Sequence, residues 1–492
     1  MSKEIVKVQP KMAVTQLVLQ IFTLTTLLAT LSLANTPEYE IKIGQGAKPF
    51  AVISAKHLKE RSVVFETSVA GISGIGLRIT DVKGSRDGKS VEIRTVAPGE
   101  FLAVEDVDTF SYRIDLGDLQ NRSARAHASW VGSSNGILML SDMLPIFARR
   151  QPAKLRLLLP EGWKHFALQN ADADRSFVVD DVDRSIIPIG NDWRTTKAKE
   201  CNARIILNGK WLFADDDAAK FTSEVCSRYI SMFGSAPAMP FQVIFAKFAG
   251  NVSHGEWQAE TRGSNVTIIS SDMPFQTGSL QRLHEQLRHE IFHLWIPNGL
   301  SLTGRYDWFY EGFALYQSLK LGVSENRISF NDLLDTLSRA NSIDAAMRNR
   351  VSLIDASAGR WTGDSTMLYA RGMVVAFAFD LALLDASKGK ASVNNLLRDI
   401  FQLHDPPADT TDANAALRSF LTAKPETKPI YERYVSGTDL LDTGFIKTVS
   451  GIEYNAEGRR GFSVGKKLSG RQKAILNALG YNNWRKSPQV QR

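Results

Sequence analysis

Two histidines and a glutamate lie at a spacing that can bind a metal ion and activate water. His289, Glu290 and His293 form the pattern His-Glu-x-x-His. Residues four apart on an α-helix share one face, so the two imidazoles can point at one ion. Zn²⁺ suits two neutral imidazoles, one carboxylate oxygen and a fourth position left to water. Glu290 can reach that water, so the pattern predicts one hydrolytic zinc site, with chance coincidence as the alternative.

The residues around this pattern predict a helix that carries it and then stops. Apolar residues recur through the stretch at Leu280, Leu283, Leu287, Ile291 and Leu294. Such a stripe is typical of an amphipathic helix. Pro297, Asn298 and Gly299 follow and are typical of a helix end. We therefore expect both histidines on one helical face.

A zinc site of this kind needs a third protein ligand, and Glu311 is the candidate. It lies eighteen positions after His293, at the start of a second helical pattern. Two antiparallel helices with a short connection can bring it beside the histidines. A glutamate in a first helical turn is usually a capping or solvated charge, which is the alternative. Its neighbours Trp308, Phe309, Tyr310 and Phe313 are aromatic. A carboxylate in that setting is costly unless it is paired or bound to metal.

Length and charge limit the class of protein. With 492 residues the chain is too long for one ordinary core, so two or three domains are expected. The net charge is +7, but segment 455–492 holds nine Lys or Arg and one acid, which leaves 50 basic and 51 acidic residues elsewhere. The basic charge therefore belongs to a C-terminal tail, 451–492, and not to a nucleic-acid groove. We expect a solvated, partly ordered tail and no nucleic-acid partner; contact with an anionic surface is the alternative.

Residues 1–34 predict an export signal. A lysine-containing start precedes a long uncharged apolar run, 12–33, which ends in small residues at Ala34. The run is nearly long enough to cross a bilayer, so an uncleaved anchor that tethers the protein to a membrane is the alternative. Either way we expect the body, from about Asn35, to be exported: periplasmic, secreted or membrane-anchored.

The chain has two cysteines, Cys201 and Cys226. They are too few for a disulfide scaffold, and their spacing matches no metal site. In an oxidising compartment they can pair if the fold brings their Cα atoms within about 7 Å. Two free buried thiols are the alternative.

The order of predicted elements indicates an α+β, multidomain chain. Residues 35–195 contain alternating strands separated by Gly and Asp turns, which is typical of a β-sandwich-like domain. Residues 196–450 begin with short strands around a helix at about 215–233 and then become mainly helical. Further helices are expected at about 308–321, 328–346, 364–386, 392–401, 414–421 and 429–434.

Two segments together resemble the gluzincin metallopeptidases. They read His289-Glu290-x-x-His293-Leu294-Trp295 and Trp308-x-x-Glu311-Gly312-Phe313-Ala314-x-Tyr316. The glycyl aminopeptidase family is the nearer resemblance and the aminopeptidase N family the more distant one. Similarity continues at Tyr369-Ala370-Arg371-Gly372, at 379–381, at 392–397 and at Tyr434-Val435-Ser436-Gly437. Loosely, it covers about residues 36 to 450.

This resemblance implies a thermolysin-like, mainly helical catalytic domain that holds one zinc ion. His289, His293 and Glu311 would be the zinc ligands, and Glu290 the general base. Tyr369 would donate a hydrogen bond to the developing oxyanion, with an ordinary packing tyrosine as the alternative. The implied partners are peptide substrates, cleaved from their amino terminus.

Recognition of a free amine needs a carboxylate, and the resemblance places it at Glu260. Gln258 and Ala259 stand in place of family glycines, and Thr261 stands in place of a histidine. A surface charge on a strand edge is the alternative for Glu260.

Three other features depart from the glycyl aminopeptidase pattern. The interval from His293 to Glu311 is nearer the aminopeptidase N pattern, and Arg371 replaces the usual lysine. The roughly fifty residues after Gly437 leave no room for the PDZ domain that many of these proteins carry, so we expect none.

These patterns predict an exported zinc-dependent metallopeptidase, most simply an aminopeptidase. An endopeptidase or another zinc hydrolase is the alternative among enzymes. A peptide-binding protein with an inactive site is the alternative outside them, although the complete set of candidate site residues argues against decay.

Overall fold

A computed structural model describes residues 36–46, 48–117, 125–149, 151–248, 250–404, 411–457 and 461–483. The predicted signal or anchor, 1–34, lies outside the described residues. The chain forms two compact units. The first takes in described residues up to Ser68 and those within 73–118 and 129–189; the second takes in those within 69–72, 119–128 and 190–492. The predicted domain limits, 35–195 and 196–450, stay predictions.

Alternating apolar and polar residues make strands the main regular structure of the first unit. In its first strand Tyr39, Ile41 and Ile43 are buried, while the residues between them are more exposed. The strands up to Gly190 are β1 (Glu38–Gly44), β2 (Phe50–Val64), β3 (Ser68–Val69), β4 (Ile72–Ser73), β5 (Ile79–Arg86), β6 (Lys89–Val91), β7 (Ile93–Ala97), β8 (Glu100–Asp115), β9 (Trp130–Val131), β10 (Asn135–Met139), β11 (Ala153–Leu158), β12 (Lys164–His165), β13 (Ser176–Val179) and β14 (Ile186–Gly190). One short helix, α1, spans Leu140–Met143, and 3₁₀ turns span Ile75–Arg78 and Ile146–Ala148.

These strands form two main sheets. An eight-stranded sheet has the order β13-β11-β1-β2-β8-β5-β6, with β7 paired to β8, and a four-stranded sheet has the order β12-β14-β10-β9. Side chains of both sheets, such as Phe110 and Ile187, belong to one apolar core. The predicted β-sandwich-like architecture of the N-terminal region is confirmed.

The second unit begins with a five-stranded sheet and continues mainly as helix. Its strands are β15 (Arg194–Ala198), β16 (Ala203–Leu207), β17 (Phe241–Lys247), β18 (Trp257–Arg262), β19 (Asn265–Ser270), β20 (Leu302–Thr303), β21 (Thr411–Asp412), β22 (Ile452–Asn455) and β23 (Gly461–Val464). Its α-helices are α2 (Asp215–Phe233), α3 (Gln276–Glu290), α4 (Asp307–Ser324), α5 (Phe330–Ala346), α6 (Leu353–Ala358), α7 (Ser365–Ala386), α8 (Val393–Leu403), α9 (Ala413–Thr422), α10 (Lys428–Ile430), α11 (Thr443–Ser450) and α12 (Gly470–Ala478). Shorter turns are 3₁₀ at Lys199–Cys201, Ile291–Leu294 and Arg360–Thr362, and π at Tyr431–Val435.

The sheet of this unit has the order β15-β16-β17-β19-β18, so β18 lies at an edge and pairs antiparallel with β19 alone. The mixed and then helical architecture predicted for the C-terminal region is confirmed. Cys201 and Cys226 are both buried free thiols.

Helices α4 and α7 approach closely at a pair of glycines. A Cβ atom on Gly312 would lie 2.5 Å from the carbonyl carbon of Gly372, and one on Gly372 would lie 2.9 Å from the Cα of Gly312. No side chain fits between backbones at that distance. The glycines therefore set the separation of the helices that carry Glu311 and Tyr369.

Helix α7 is also long and apolar enough, by composition, to cross a membrane. The helix has 22 residues, and the most apolar part of it is 94% buried inside the protein. A stretch so enclosed is the central helix of the second unit's core, where Val374, Phe377 and Leu381 are fully buried.

Three local expectations differ from the structure. The helix predicted to carry both histidines ends at Glu290, and His293 lies on the 3₁₀ turn that follows, because bonds to the third preceding carbonyl tighten the last turn. Strand β18 was considered only as the alternative for Glu260 and was not assigned as an element, since its six residues are all half-buried and do not alternate. Within the predicted solvated tail, the described residues form β22, β23 and α12, because their charges are interspersed with buried apolar residues such as Ile475.

Candidate metal centre and its cleft

Three side chains from three consecutive helical elements converge on one point. His289 lies in the last turn of α3, His293 on the 3₁₀ turn after it, and Glu311 near the start of α4. The Nε2 atoms of the two histidines lie 3.3 Å apart. Oε2 of Glu311 lies 3.3 Å from Nε2 of His289 and 3.6 Å from Nε2 of His293. All three residues are buried, so a candidate metal site is enclosed on the protein side.

The chemistry of this donor set fits a zinc ion. Tetrahedral zinc with bonds of about 2.0–2.1 Å has ligand atoms about 3.3–3.4 Å apart, close to the separations found here. Oε2 of Glu311 is buried and makes no hydrogen bond within the described part of the chain. Nδ1 of His293 bonds to the carbonyl oxygen of Ile296 at 3.0 Å, which leaves Nε2 free to act as a ligand. Buried acceptors without a donor are costly, and a cation removes that cost.

The carboxylate of Glu290 is held by the edge strand β18. The hydroxyl of Thr261 lies 2.8 Å from Oε2 of Glu290 and 3.1 Å from the backbone oxygen of the same residue. Oε1 of Glu290 lies 3.9 Å from Nε2 of His289, on the side of the metal-binding atoms. One oxygen is thus anchored, and the other faces the imidazole of His289.

Arg360, which sequence patterns did not reveal, joins the remaining groups of the site. Its Nη1 donates to Oδ1 of Asp307 at 2.8 Å, and its Nη2 lies 3.0 Å from Oε1 of Glu311. Nη2 also donates to the hydroxyl oxygen of Tyr369 at 2.5 Å. The arginine lies on a short 3₁₀ turn before α7, where no periodic motif marks it.

These contacts set the ionisation of Glu311 and Tyr369. Burial alone would raise the pKa of Glu311, but Arg360 and the histidines outweigh it and hold that pKa well below its usual range. Burial, with the Glu311 carboxylate, raises the pKa of Tyr369 well above its ordinary value. Tyr369 therefore keeps its proton, and because its oxygen already accepts from Arg360, that proton can be donated elsewhere.

A cavity of about 540 Å³ brings every predicted site residue together. It is lined by His127, Trp257, Gln258, Ala259, Glu260, Thr261, His289, Glu290, His293, Pro297, Arg305, Asp307, Tyr310, Glu311, Leu315, Arg360, Trp361 and Tyr369. Such a concave site, partly apolar with convergent polar groups, is where small ligands usually bind.

Glu260 lies in this lining, on β18, but it is already paired. Arg262 donates Nε to Oε1 at 2.5 Å and Nη2 to Oε2 at 2.9 Å, and Nδ1 of His127 bonds to Oε2. Burial would raise the pKa of Glu260, but Arg262 and His127 lower it to about 2. The carboxylate is ionised and its charge is balanced inside the protein.

Arg371, from the Tyr-x-Arg-Gly segment, points away from the cavity and has a structural role. Its Nη1 donates to the carbonyl oxygen of Val351 at 2.8 Å, and its Nη2 donates to that of Gly437 at 2.9 Å. The guanidinium thereby ties α7 to two loops, which its several fixed donors allow.

Comparison with known proteins shows similarity at the level of structure. No family model matches the chain, and no curated protein matches it. An aminopeptidase N family protein from Idiomarina loihiensis is 16% identical, with 89% of this chain and 82% of that chain covered and a TM-score of 0.72. An M1 zinc metallopeptidase from Deinococcus radiodurans is 12% identical, with coverages of 83% and 94% and a TM-score of 0.52.

A variant of the Deinococcus enzyme bound to a Tyr-Ser-Ala substrate is 13% identical, with coverages of 83% and 95% and a TM-score of 0.52. At such identities the likeness establishes the fold, and the specific resemblance to glycyl aminopeptidases stays a prediction. The chain therefore has the fold of the M1 aminopeptidases, a sheet-rich N-terminal region followed by a helical region.

Proposed function

We propose that this chain is a zinc-dependent peptidase whose metal ligands are His289, His293 and Glu311. The observation that carries the proposal is the mutual separation of their three ligand atoms, 3.3 to 3.6 Å, in a buried site beside the carboxylate of Glu290. That the structural relatives include M1 zinc metallopeptidases supports the same reading.

The reaction would be hydrolysis of a peptide bond. A zinc ion held by His289, His293 and Glu311 would supply a Lewis acid that polarises the carbonyl and lowers the pKa of water. Glu290 accepts one proton from the attacking water through Oε1 and returns it to the leaving nitrogen. The water oxygen bonds to the carbonyl carbon and the carbon–nitrogen bond breaks, so atoms and charge balance.

Tyr369 would stabilise the negative charge that develops on the carbonyl oxygen. Arg360 donates to the tyrosine oxygen, so the hydroxyl proton is directed away from the guanidinium and can be donated. Donors held in place before the reaction stabilise a transition state without reorganisation. Thr261 is a positioning residue: its hydroxyl holds the carboxylate of Glu290 in place before the reaction.

The position of the cleaved bond, at the amino terminus or within the peptide, depends on how Glu260 is used. The sequence predicts an aminopeptidase with Glu260 as the amine anchor. The pairing of Glu260 with Arg262 and His127 is a specific observation in favour of the alternative, cleavage of internal or amino-blocked bonds.

We further propose that the protein works outside the cytoplasm on peptides and without nucleic acid. The proposal rests on the charge and apolar pattern of residues 1–34 and on the near-neutral balance of the chain before the tail.

The test uses the full chain, stripped by a chelator and reloaded with one equivalent of zinc. We expect zinc-dependent hydrolysis of a peptide mixture, read by mass spectrometry. The variant Glu290→Gln should retain zinc and lose activity by about 10²–10⁴-fold. Stoichiometric zinc without hydrolysis of any peptide would contradict the proposal and favour a peptide-binding protein.

A further inference from the structure

The cavity contains the carboxylate that a terminal ammonium would need, but its preferred bonding positions are occupied. Arg262 spans Glu260 with two hydrogen bonds, one to each oxygen, at 2.5 and 2.9 Å. His127 bonds to Oε2 through Nδ1. A two-pronged guanidinium–carboxylate pair is among the strongest charged contacts in proteins. An ammonium would have to compete with that pair.

The local backbone maintains this pairing. Glu260 and Arg262 are two residues apart on β18, so their side chains leave the strand on the same side. Nη2 of Arg262 also donates to the backbone oxygen of His127 at 3.2 Å. The side chains of Glu260, Arg262 and His127 are 23%, 18% and 11% exposed. Little water reaches the group, so solvent screens the pair weakly.

The other carboxylates of the lining have partners too. Asp307 and Glu311 both face Arg360, at 2.8 and 3.0 Å. Glu290 accepts from Thr261 and faces the metal-binding atoms. Among the described residues that line the cavity, no carboxylate is left free to pair with a substrate ammonium.

The cavity instead presents aromatic surface beside this neutralised group. Trp361 is 38% exposed, and the centre of its ring lies 5.7 Å from that of His127. Trp257, on the same strand as Glu260, lies 6.2 Å from the ring of His289. These rings offer apolar contact area to a substrate side chain. The face of Trp361 also packs against the guanidinium of Arg360, 4.4 Å from the ring centre, so a cation there would meet a like charge.

We propose that the cavity binds peptides through a neutral, apolar residue next to the cleaved bond and does not select a terminal ammonium. Its substrates are then peptides with an amino-blocked or internal bond at this position. This inference rests on the proposed peptidase function and assigns its substrate class. Arg262 and His127 act as specificity-determining residues because they occupy the hydrogen-bonding positions of Glu260.

The test compares two probes that differ only in the amine. Phe-Ala-Ala amide and its N-acetyl form are given separately to the zinc-loaded full chain, and the cleaved bonds are identified by mass spectrometry. We expect kcat/KM for the acetyl peptide to equal or exceed that for the free peptide at the Phe-Ala bond. Hydrolysis of the free peptide alone would overturn the inference but leave the peptidase function standing. If neither probe is cleaved although the enzyme hydrolyses a mixed peptide pool, the inference about substrate class is also overturned. If the enzyme does not hydrolyse the mixed pool either, the proposed peptidase function is contradicted.

A variant pair tests the mechanism of the preference. Arg262→Met removes the guanidinium and frees Oε1 of Glu260, while His127 still bonds to Oε2. Activity on the free peptide should then rise by about tenfold or more relative to the acetyl peptide. Adding Glu260→Gln to Arg262→Met should cancel that rise. An unchanged ratio in folded, zinc-loaded Arg262→Met would contradict the role assigned to Arg262.

If Arg262→Met fails to fold, Glu260→Gln in the otherwise unaltered chain replaces it. We expect this variant to keep the ratio of the two activities. A selective loss of the free-amine activity would show that Glu260 binds the ammonium after all, and would overturn the inference.

Discussion

Arg360 lies 3.0 Å from Oε1 of Glu311, while Oε2 of the same carboxylate lies 3.3 Å from Nε2 of His289. The guanidinium and the metal-binding atoms thus face opposite oxygens of one side chain. This arrangement fixes the plane of the carboxylate and leaves one oxygen for the metal. Partners of metal ligands commonly control affinity in this way.

Arg360→Met should therefore weaken zinc binding by about 10–100-fold, because Glu311 loses the group that orients it. The measurement is a competition between the protein and a chromophoric chelator. Arg433→Met is the control, since Arg433 pairs with Asp439 at a half-exposed site outside the cavity lining. Equal zinc affinity in Arg360→Met and the control would contradict the assigned role.

Thr261→Val should reduce kcat by about tenfold while zinc content stays at one equivalent, because Glu290 loses the hydroxyl that holds Oε2. Thr261→Ser keeps the hydroxyl and should restore most of the rate. Steady-state kinetics on one peptide, with metal analysis of each variant, decides the point. A Thr261→Ser variant as slow as Thr261→Val would show that the methyl group matters and the hydroxyl does not.

Gly312→Ala should lower the free energy of unfolding by about 1–3 kcal/mol, since its Cβ would lie 2.5 Å from the backbone of Gly372. Gly470→Ala is the matched control, because a Cβ there meets no atom within 4 Å. Urea denaturation of both variants measures the difference. If the two alanines have equal effects, the close approach of α4 and α7 is not what requires glycine.

Zinc removal should lower the thermal midpoint, and added zinc should raise it in a concentration-dependent way, because the metal binds the folded chain. His293→Ala should abolish the dependence on zinc. Differential scanning calorimetry at several zinc concentrations tests both statements. A midpoint that responds to zinc equally in His293→Ala would place the metal elsewhere.

Glu260 should contribute stability that is lost in acid. Its pKa is about 2 in the folded chain, below the ordinary value of 4.5. A lowered pKa means that the folded state favours the ionised form. The contribution, on the order of 3 kcal/mol, is therefore complete above about pH 5 and falls as the pH drops from about 4.5 toward 2.

Urea denaturation of metal-free protein at pH 7 and pH 3 tests this contribution. The stability difference between the natural chain and Glu260→Gln should be larger at pH 7 than at pH 3. A difference that does not change with pH would mean that the Arg262 pair contributes no net stability.

Local spacing accounts for what could be predicted. The positions of His289 and His293 follow from helical geometry over four residues, and the apolar context of Glu311 is visible in its immediate neighbours. Helix 215–233 was predicted with the bounds found for α2, because its periodicity is continuous. Such features depend on contacts within a few residues.

The groups that were missed come from distant parts of the chain. Thr261 reaches Glu290 across 29 positions, and Arg360 reaches Asp307 across 53. His127 reaches Glu260 across 133 positions. No sequence spacing predicts these contacts, since only the packing of separate elements brings the residues together.

The sequence by itself thus determined which groups are available, namely two imidazoles and two carboxylates at a spacing that predicts metal binding and proton transfer. The tertiary structure decided how each group is used. It set the Gly312–Gly372 approach that positions Tyr369, and it gave Glu260 a guanidinium partner. The physical reason is that a carboxylate's availability depends on the charges that pack against it, and those are placed by the fold.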